Sequence, residues 1–532
     1  MRLRINHKQP ADIMNITKPH ESNFIEQPLR RRIRTSWIVP LLLLWMMPAG
    51  LGLMMVGQVT AQSFTTLYSF QANGDGEKPS AGLVLSGSTL YGTAVGGGSA
   101  AGNGGDFGEV FAVNTDGTGF TNWLEEGQLF PNLSGLILSG NTLYGMGSEL
   151  NLRCCIGTKV FAFNTDGTGF TNLSVAQWGG FTPTAGLILS GNTLYGTAYG
   201  GGIDGIDTVF AVNTDFTGFT NLYTFTTPVP DNDSKSPAYD SYTNIDGFQP
   251  AAGLILSGNT LYGTAAGGGS GASGTVFAVN TDGMGFTTLH SFTATTSCCP
   301  PNWLYLNSDG ANPIAGLILS GNTLYGTASQ GGTSGGGTVF AVNTVGMGFT
   351  VLHSFTTNAY GTHSDGSYPA AGLILSGKTL YGTTEYGGSW NNGTVFAVNT
   401  DGTGFTVLHS FSATVWNPNT DCYTNSDGAY PVAGLLLSGN TLYGTAAYGG
   451  TNGNGTVFSI FIQPQLTIIP SGPYMILAWP TNYSGFTLQS TTNFGSAAVW
   501  TTNSSPPVVI GGENVVINTT TTGKQTFFRL SQ

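Results

Sequence analysis

The residues best suited to chemistry in this sequence are aspartates that recur before a glycine and a nearby proline. Such Asp-Gly pairs occur five times, at Asp75, Asp246, Asp309, Asp365 and Asp427. A ring of these carboxylates would suit Ca²⁺ or a polyol. The same pattern is typical of a turn in which Asp accepts a backbone N–H bond and Gly adopts a positive φ. Both interpretations stay open on the sequence alone.

Aromatic side chains form the second set of candidates. Three insertions, at 226–245, 293–308 and 412–426, differ from one another and carry tyrosine and tryptophan. Exposed rings on loops are candidates for stacking against sugars, and simple packing within long loops is the other interpretation. The candidate ligand-binding residues are Asp246, Asp309, Asp365, Asp427, Tyr239, Tyr242, Trp303, Trp390 and Trp416.

Five cysteines are present: Cys154, Cys155, Cys298, Cys299 and Cys422. An exported chain permits disulfides, and two of the insertions place Cys298, Cys299 and Cys422 on one face, so these three are the disulfide candidates. The spacing does not decide which pair forms, and it does not match a zinc site.

No pattern predicts catalysis. His290, His353 and His409 occupy the same position of a repeated unit, which favours a structural role. The sequence has no Gly-x-Ser-x-Gly elbow, no metal triad by spacing and no phosphate-binding glycine loop. We therefore predict no catalytic residue, no metal and no cofactor.

These candidates are positioned by one unit that recurs seven times and is best seen at Ala252–Phe292. Its Leu-Tyr-Gly signature recurs after 53, 51, 67, 63, 56 and 62 residues. A period near ~50 is typical of propeller-type arrays, in which each repeat is one small sheet. The signature tyrosines are Tyr91, Tyr144, Tyr195, Tyr262, Tyr325, Tyr381 and Tyr443.

Each unit contains four strand-like runs, which we name a, b, c and d. In the best-kept unit they are Gly253–Ser257, Thr260–Thr264, Thr275–Val279 and Phe286–Phe292. Antiparallel order places the uniform a–b and c–d turns on one face. The variable b–c and d–a connections lie on the other face, and repeat proteins often bind ligands on the variable face.

The two ends of the array are complementary. The first run, Phe64–Phe70, is an unaccompanied d, whereas the last unit, Ala433–Ile460, lacks a d run. The first run is thus expected to complete the last sheet and remove the exposed edges. We predict an all-β protein: a seven-bladed β-propeller at 62–462, closed by its N-terminal strand, followed by a small C-terminal β-sandwich at 463–532. Trp479 and Trp500 are the expected aromatic core of the sandwich.

Residues 1–61 are typical of a signal peptide with a long basic n-region. A basic cluster at 30–34 precedes the apolar run Trp37–Val56, and Val59-Thr60-Ala61 offers a cleavage site. An uncleaved membrane anchor is the alternative, because the run is long enough to span a bilayer. The rest of the chain has 7 basic and 24 acidic residues, a net charge of −17. This charge repels phosphate backbones and argues against nucleic-acid binding.

The unit AGLILSGNTLYGT, followed by a glycine-rich stretch and then GTVFAVNTDGTGF, resembles the tandem repeat of exported "choice-of-anchor" bacterial proteins of the GloVer type. The resemblance covers roughly 63–460 and departs from the pattern at Met146, Phe216 and Val345. The paired glycines after run b are similar to kelch-type propellers. The tail resembles a fibronectin/immunoglobulin-like module. These resemblances imply export and a propeller fold, and they carry over no catalytic residue.

The expected function is that of a secreted or cell-surface binding module whose partner is a polysaccharide or another cell-surface component. The alternative is an extracellular carbohydrate-active enzyme, a glycoside hydrolase or lyase with its site at the mouth of the propeller channel. A purely structural exported protein is the third hypothesis. Contact with a membrane is expected only if the N-terminal segment is not cleaved.

Overall fold

The computed structural model describes a chain built from strands and connections. The residues described are 63–71, 75–96, 108–123, 133–150, 156–174, 186–200, 207–231, 241–298, 304–357, 363–464, 466–481, 485–492, 498–503, 505–511, 513–519 and 526–531. All of them belong to one compact unit, Val59–Gln532, and none lies in a helix. The predicted signal peptide, 1–61, lies outside the described residues.

Each repeat contributes one four-stranded antiparallel sheet in which strands a to d are neighbours in chain order. Sheets 1 to 3 contain β2 (Val84–Ser86), β3 (Thr89–Ala94), β4 (Glu109–Asn114), β5 (Thr121–Trp123); β6 (Ile137–Ser139), β7 (Thr142–Leu150), β8 (Ile156–Asn164), β9 (Thr171–Ser174); and β10 (Ile188–Ser190), β11 (Thr193–Ala198), β12 (Thr208–Asn213), β13 (Thr220–Thr224). Sheets 4 to 6 contain β16 (Ile255–Ser257), β17 (Thr260–Ala265), β18 (Thr275–Asn280), β19 (Thr287–Ser291); β22 (Ile318–Ser320), β23 (Thr323–Ala328), β24 (Thr338–Asn343), β25 (Thr350–Ser354); and β26 (Ile374–Ser376), β27 (Thr379–Thr384), β28 (Thr394–Asn399), β29 (Thr406–Ser410).

Sheet 7 is completed by the first strand of the array. It contains β32 (Leu436–Ser438), β33 (Thr441–Ala446) and β34 (Thr456–Phe461), and its fourth strand is β1 (Ser63–Ser69). Strand β1 pairs antiparallel with β34, from Ser63 opposite Phe461 to Ser69 opposite Thr456. The first and last runs therefore meet as their sequences predict.

Local sequence explains the form of each sheet. In sheet 4 the a–b turn places Ser257 opposite Thr260, and Gly258 supplies the φ of +58° that a two-residue hairpin needs. The central strands β17 and β18 are rich in threonine and valine and are buried along most of their length. A β-bulge between Val276 and Phe277 adjusts the pairing of β18 with β19.

Apolar clusters join each sheet to the next. Seven of the clusters pair consecutive repeat sheets; in one, Phe292 of the fourth repeat packs with Phe340 of the fifth. Another joins Val457 of the last sheet to Phe111 of the first. The backbones of consecutive repeats also lie close together. A β-carbon on Gly253 would be only 3.3 Å from the Gly186 carbonyl oxygen of the preceding repeat. The residue at this position of each repeat must therefore be small.

A threonine in strand b ties one sheet to the next. Thr264 donates to the carbonyl of Ala315 at 3.0 Å, and Thr445 of the last repeat donates to Ala81 of the first at 3.4 Å. The second repeat has Met146 at this position, which cannot donate such a bond. The departure of Met146 from the repeat thus removes one hydrogen bond between sheets.

The three long insertions share one kind of backbone pairing in their described residues, despite their different sequences. They form the two-stranded hairpins β14 (Val229–Pro230) with β15 (Tyr242–Thr243), β20 (Thr296–Cys298) with β21 (Leu304–Leu306), and β30 (Val415–Asn417) with β31 (Cys422–Thr424). The sequence suggests three unlike loops, but backbone pairing gives each the same local solution.

The C-terminal strands form two further sheets. One has the order β35 (Thr467–Ser471), β36 (Tyr474–Pro480), β40 (Glu513–Thr519), β39 (Val508–Ile510), and the other β38 (Thr501–Thr502), β37 (Thr487–Thr491), β41 (Phe527–Ser531). Trp479 lies in their shared core with Leu477, Leu488 and Val516, as predicted.

Trp500 does not share this C-terminal core. It is half-buried, and the Arg529 guanidinium lies 4.3 Å from its ring centre. The prediction that Trp500 is a core residue is therefore wrong, since it packs beneath a surface cation. Across the described ranges, the structure contains no helix long and apolar enough to cross a membrane.

Candidate functional site

Two kinds of connection meet at the variable edge of five repeat sheets, sheet 1 and sheets 4 to 7. One is the Asp-Gly connection that leads into strand a, and the other is the glycine-rich segment that follows strand b. In sheet 7, the Asn425 Oδ1 accepts bonds from the N–H groups of Gly428 (3.0 Å) and Gly450 (2.8 Å), one in each connection. Backbone bonds between Ala429 and Tyr448 add a second tie. The edge is therefore a fixed surface rather than a pair of free loops.

The fourth residue of the Asp-Gly connection, counted from Asp, has an unusual backbone conformation. Tyr368 (φ 60°) and Tyr430 (φ 56°) both lie in the left-handed region, which a bulky side chain rarely occupies. Their N–H groups donate to the preceding repeat, at Gly336 (2.9 Å) and Asn392 (2.8 Å) respectively. Equivalent positions in other repeats share this conformation: Lys78, Gln249 and Asn312.

Four tyrosines follow one another across sheets 6 and 7, and we call them the tyrosine row: Tyr368, Tyr386, Tyr430 and Tyr448. Successive ring centres lie 5.9, 5.5 and 5.7 Å apart, and successive rings meet edge to face. The Lys78 Nζ lies 5.9 Å from the Tyr448 ring centre, so the row reaches the connection into sheet 1. Tyr386 is 38% exposed and Tyr448 is 45% exposed, while the other two are half-buried.

Amide side chains occupy corresponding positions in sheets 4 and 5: Gln249 in the connection into sheet 4, and Asn312 and Gln330 in sheet 5. The Gln249 Nε2 donates to the Tyr199 hydroxyl at 3.2 Å, and the Asn312 Nδ2 donates to the Ser329 hydroxyl at 3.0 Å. Gln330 in sheet 5 occupies the position that is equivalent to Tyr386 in sheet 6 and Tyr448 in sheet 7. The variable edge therefore has an aromatic part, with Lys78 at its end and Glu385 beside it, and a part that carries amide groups.

The four predicted ligand-binding aspartates are each engaged within their own connection. Asp246 accepts bonds from the Tyr223 hydroxyl (2.7 Å) and the Thr226 N–H (2.8 Å). Asp427 accepts from His409 Nε2 (3.0 Å) and the Ser412 N–H (3.0 Å). Asp309 and Asp365 make the same bonds with His290 and Thr293, and with His353 and Thr356. The geometry is that of the turn interpretation, and the ligand-binding role of these carboxylates stays a prediction.

The hydrogen bonds also set the charge of these carboxyl groups. Burial opposes ionisation of Asp427, but bonds from His409 and Ser412 outweigh it and hold the pKa of Asp427 below its usual value. The same balance lowers the pKa of Asp309 and Asp365. Since the three pKa values are lowered by folding, their contribution to stability is present at neutral pH and is lost as pH falls through the folded values.

The histidines in these pairs also contact the neighbouring sheet. His290 stacks on Phe349 at 3.7 Å between ring centres, and His353 stacks on Phe405 at the same distance. His409 stacks on Phe64 of β1 at 3.8 Å. The structural role predicted for the three histidines is confirmed. Within the described ranges, no group of three His, Cys, Asp or Glu side chains is arranged to hold a metal ion.

The predicted aromatic residues are only partly brought together. Trp390 is exposed and follows Tyr386 in the same connection of sheet 6. Trp416 is exposed and packs edge to face with Tyr423 within the β30–β31 hairpin. Tyr242 is exposed in β15, in another insertion. Tyr239 and Trp303 lie outside the described residues.

Among the described residues, Cys422 is a free cysteine. The Cys422 side chain faces Gly453 of the glycine-rich segment in the same sheet; a β-carbon on Gly453 would lie 2.4 Å from that of Cys422. Cys298 lies in β20, and Cys299 lies outside the described residues. The pairing among the three candidate cysteines therefore stays a prediction.

Glu109 is a buried acid that the sequence analysis does not single out. It begins β4 at a position held by threonine in five other repeats, and it is 1% exposed. Its Oε2 accepts a bond from Asn122 at 3.0 Å, whereas its Oε1 is buried without a partner. Burial raises the pKa of Glu109 to about 8, so the group is largely protonated at neutral pH.

The tyrosine row was missed because its members occur inside the repeated unit rather than in the insertions. The signal is present in the sequence as a substitution within a regular pattern. The glycine-rich segment after strand b reads AAGGG in sheet 4 and ASQGG in sheet 5, but it contains EYGG in sheet 6 and AYGG in sheet 7. The residues up to the proline of the Asp-Gly connection read EKP, FQP and ANP in sheets 1, 4 and 5, but SYP and AYP in sheets 6 and 7. Only the structure shows that these two substituted positions are adjacent.

Residues 302–471 match the family model of the Gloeobacter/Verrucomicrobia repeat. The match confirms the predicted resemblance over that part of the chain and supports a repeat protein of this type. No curated protein matches the sequence.

Several solved structures are similar at low identity. They include an oligogalacturonate lyase from Vibrio parahaemolyticus (9% identity, 76% of this chain and 98% of that chain, TM-score 0.41). A GH74 xyloglucanase from Xanthomonas campestris (12%, 79% and 59%, TM-score 0.44) and a puromycin-hydrolyzing peptidase from Mycobacterium tuberculosis (11%, 79% and 62%, TM-score 0.41) are also similar. This chain thus spans less than two thirds of the last two, and likenesses this weak carry no argument about activity.

Proposed function

We propose that the chain is an exported, seven-bladed β-propeller that binds carbohydrate through the tyrosine row. Three features support the propeller: seven repeat sheets of one strand order, the pairing of β1 with β34, and the cluster that joins the last sheet to the first. In this proposal 62–462 form the propeller and 463–532 form an accessory β-sandwich. Residues 1–61 direct export.

The observation that carries the binding proposal is the row itself. Four aromatic rings on one edge, two of them well exposed, form an uncharged surface that is not needed for the core. Exposed aromatic groups in fixed positions mark binding surfaces more often than scattered ones do. The left-handed backbone at Tyr368 and Tyr430 belongs to the repeated connection, because Lys78, Gln249 and Asn312 share it, and it fixes where each of these side chains begins.

The chemistry of the row suits sugars. A pyranose ring presents C–H groups on its faces, which pack against an aromatic ring, and hydroxyl groups at its rim. Tyrosine offers both an apolar face and a hydroxyl. The amide groups of Gln249 and Asn312, on the neighbouring part of the edge, can donate to and accept from those hydroxyls. The ties through Asn425 hold the rings in place before binding, which lowers the entropy lost on association.

A glycan array tests this function, followed by calorimetry with the best ligand. We expect the Tyr386→Ala, Tyr448→Ala double variant to lose about tenfold or more in affinity, since it removes both exposed rings of the row. The matched control is Tyr474→Ala, which removes a similarly exposed tyrosine from β36.

Two outcomes would overturn the binding proposal. One is a wild-type protein that binds no glycan on the array, and the other is equal loss of affinity in the control variant. Release of shortened sugar products from the bound glycan would show that the chain is a carbohydrate-active enzyme and not only a binding module.

A further inference from the structure

We infer that the ligand of the tyrosine row is an extended, uncharged, β-1,4-linked glycan that lies along the row, across sheets 6 and 7. This inference rests on the proposed function and specifies its ligand. Its basis is the order of the rings, the difference in their exposure and the charges beside them.

The direction of the ligand follows from the order of the rings. Tyr368 and Tyr430 belong to connections that enter sheets 6 and 7, whereas Tyr386 and Tyr448 follow strand b of those same sheets. The row therefore passes from one sheet to the next rather than along a single connection. A ligand that contacts all four rings must be long, because the ring centres are separated by three successive steps of 5.5–5.9 Å.

The linkage follows from the exposure of alternate rings. Tyr386 and Tyr448 are the exposed members, and the half-buried Tyr430 lies between them. Each step between ring centres is close to the length of one pyranose residue in an extended chain. Each exposed ring lies one such step from the Tyr430 ring, at 5.5 and 5.7 Å, and the inference places these two rings against residues two apart in the ligand. In a flat β-1,4-linked ribbon, residues two apart present the same face to one side, whereas an α-1,4-linked chain curves away from such a surface.

The absence of charge on the ligand follows from the acids beside the row. The Tyr386 hydroxyl donates a hydrogen bond to the Glu385 carboxylate, which raises the pKa of the Tyr386 phenol and places an acidic group beside the row. Glu77 pairs with Lys78 at the far end of the row, at 3.3 Å. With a net charge of −17 on the chain after residue 61, the field around the row repels a glycan rich in carboxylates.

Calorimetry on the full protein with four soluble probes tests this inference: cellohexaose, cellobiose, maltohexaose and hexagalacturonate. We expect cellohexaose to bind about tenfold or more tightly than cellobiose, because only the longer chain reaches both exposed rings. Maltohexaose contains the same sugar joined by α-1,4 linkages, and hexagalacturonate has a similar length but carries carboxylates. Both should bind at least tenfold more weakly than cellohexaose.

Single variants locate the ligand along the row. Tyr448→Ala should weaken cellohexaose by about tenfold and bring its affinity close to that of cellobiose, which one exposed ring can hold. Tyr474→Ala, in β36, should change neither the affinity for cellohexaose nor the affinity for cellobiose. Equal affinity for the long and the short β-1,4 probe, or tighter binding of maltohexaose or hexagalacturonate, would overturn the inference while leaving carbohydrate binding intact. Failure of every glycan to bind would overturn both.

Discussion

At the scale of single residues, Glu109 shows how one substitution within a repeat changes the local chemistry. In sheet 4 the equivalent Thr275 donates to the carbonyl of Asp246 at 3.0 Å and is fully satisfied. Glu109 instead places a larger acid beneath the Asp75–Gly76 connection, where a β-carbon on Gly76 would lie 2.4 Å from Oε1. The folded protein buries this carboxyl group with one oxygen unpartnered, whereas the unfolded chain exposes it to water, where it ionises readily. Glu109 is therefore expected to lower stability at a pH that ionises it in the unfolded chain.

The first prediction concerns the pH dependence that Glu109 imposes. The folded pKa of about 8 lies above the ordinary value of 4.5, so between these values the unfolded chain is ionised and the folded protein is not. The contribution of Glu109 to stability is thus greatest below pH 4.5 and falls as pH rises towards 8. Glu109→Gln should remove this fall, with a gain of about 4 kcal/mol at pH 8 and little gain at pH 4.5.

Chemical denaturation at several pH values measures this effect. Glu513→Gln, in the exposed start of β40, is the matched control and should show no such trend. A gain for Glu109→Gln that is the same at every pH would contradict the assignment, because it would come from packing and not from titration.

At the scale of elements, β1 links the two ends of the repeat array. It pairs with β34 over most of its length and places Phe64 against His409 of sheet 6. Phe70, just beyond its end, is fully buried in the cluster that joins the last sheet to the first. Without β1, strand β34 would present an open edge.

The second prediction is that deletion of residues 63–70 destabilises the repeat sheets. The loss of Phe70 alone is expected to cost about 3–5 kcal/mol, and the lost strand pairing adds to this. Thermal unfolding is the measurement, with deletion of 463–532 as the control, since those strands form sheets of their own. Similar melting temperatures for the two deletions would show that the first strand does not hold the array closed.

At the scale of the whole molecule, the C-terminal strands contact the side of the sheets opposite to the tyrosine row. Lys378, in the a–b turn of sheet 6, donates to the carbonyl of Gly511 at 3.3 Å. The ring of Phe461, at the end of β34, lies 6.3 Å from that of Phe486. Because strand b runs from the a–b turn to the glycine-rich segment, these contacts and the row lie at opposite ends of the same strands.

The third prediction follows from this separation. Removal of 463–532 should leave glycan affinity within about twofold of the full chain, because no ring of the row depends on these strands. Calorimetry with the best array ligand checks it. A large loss of affinity with unchanged thermal stability of the repeat sheets would place part of the binding site in the C-terminal strands.

The repeated sequence by itself determined most of the strand architecture. Turn pairs such as Gly258-Asn259 and the strand-forming runs on either side of them specify a hairpin locally, so seven copies predict seven similar sheets. The complementary ends predicted the partner of β1, and the repeated histidine position indicated a structural role. These inferences succeed because they depend on neighbours in sequence or on the repeat.

Only the tertiary structure decided the composition of the candidate site. Tyr386 and Tyr430 are distant in sequence and belong to connections of different sheets, yet their ring centres lie 5.5 Å apart. The backbone pairing that aligns each Asp-Gly connection with a glycine-rich segment brings such residues together, and packing of one sheet on the next sets their order. Similarly, the direction of a side chain, which buried Glu109, depends on the atoms that surround it and not on the spacing of residues.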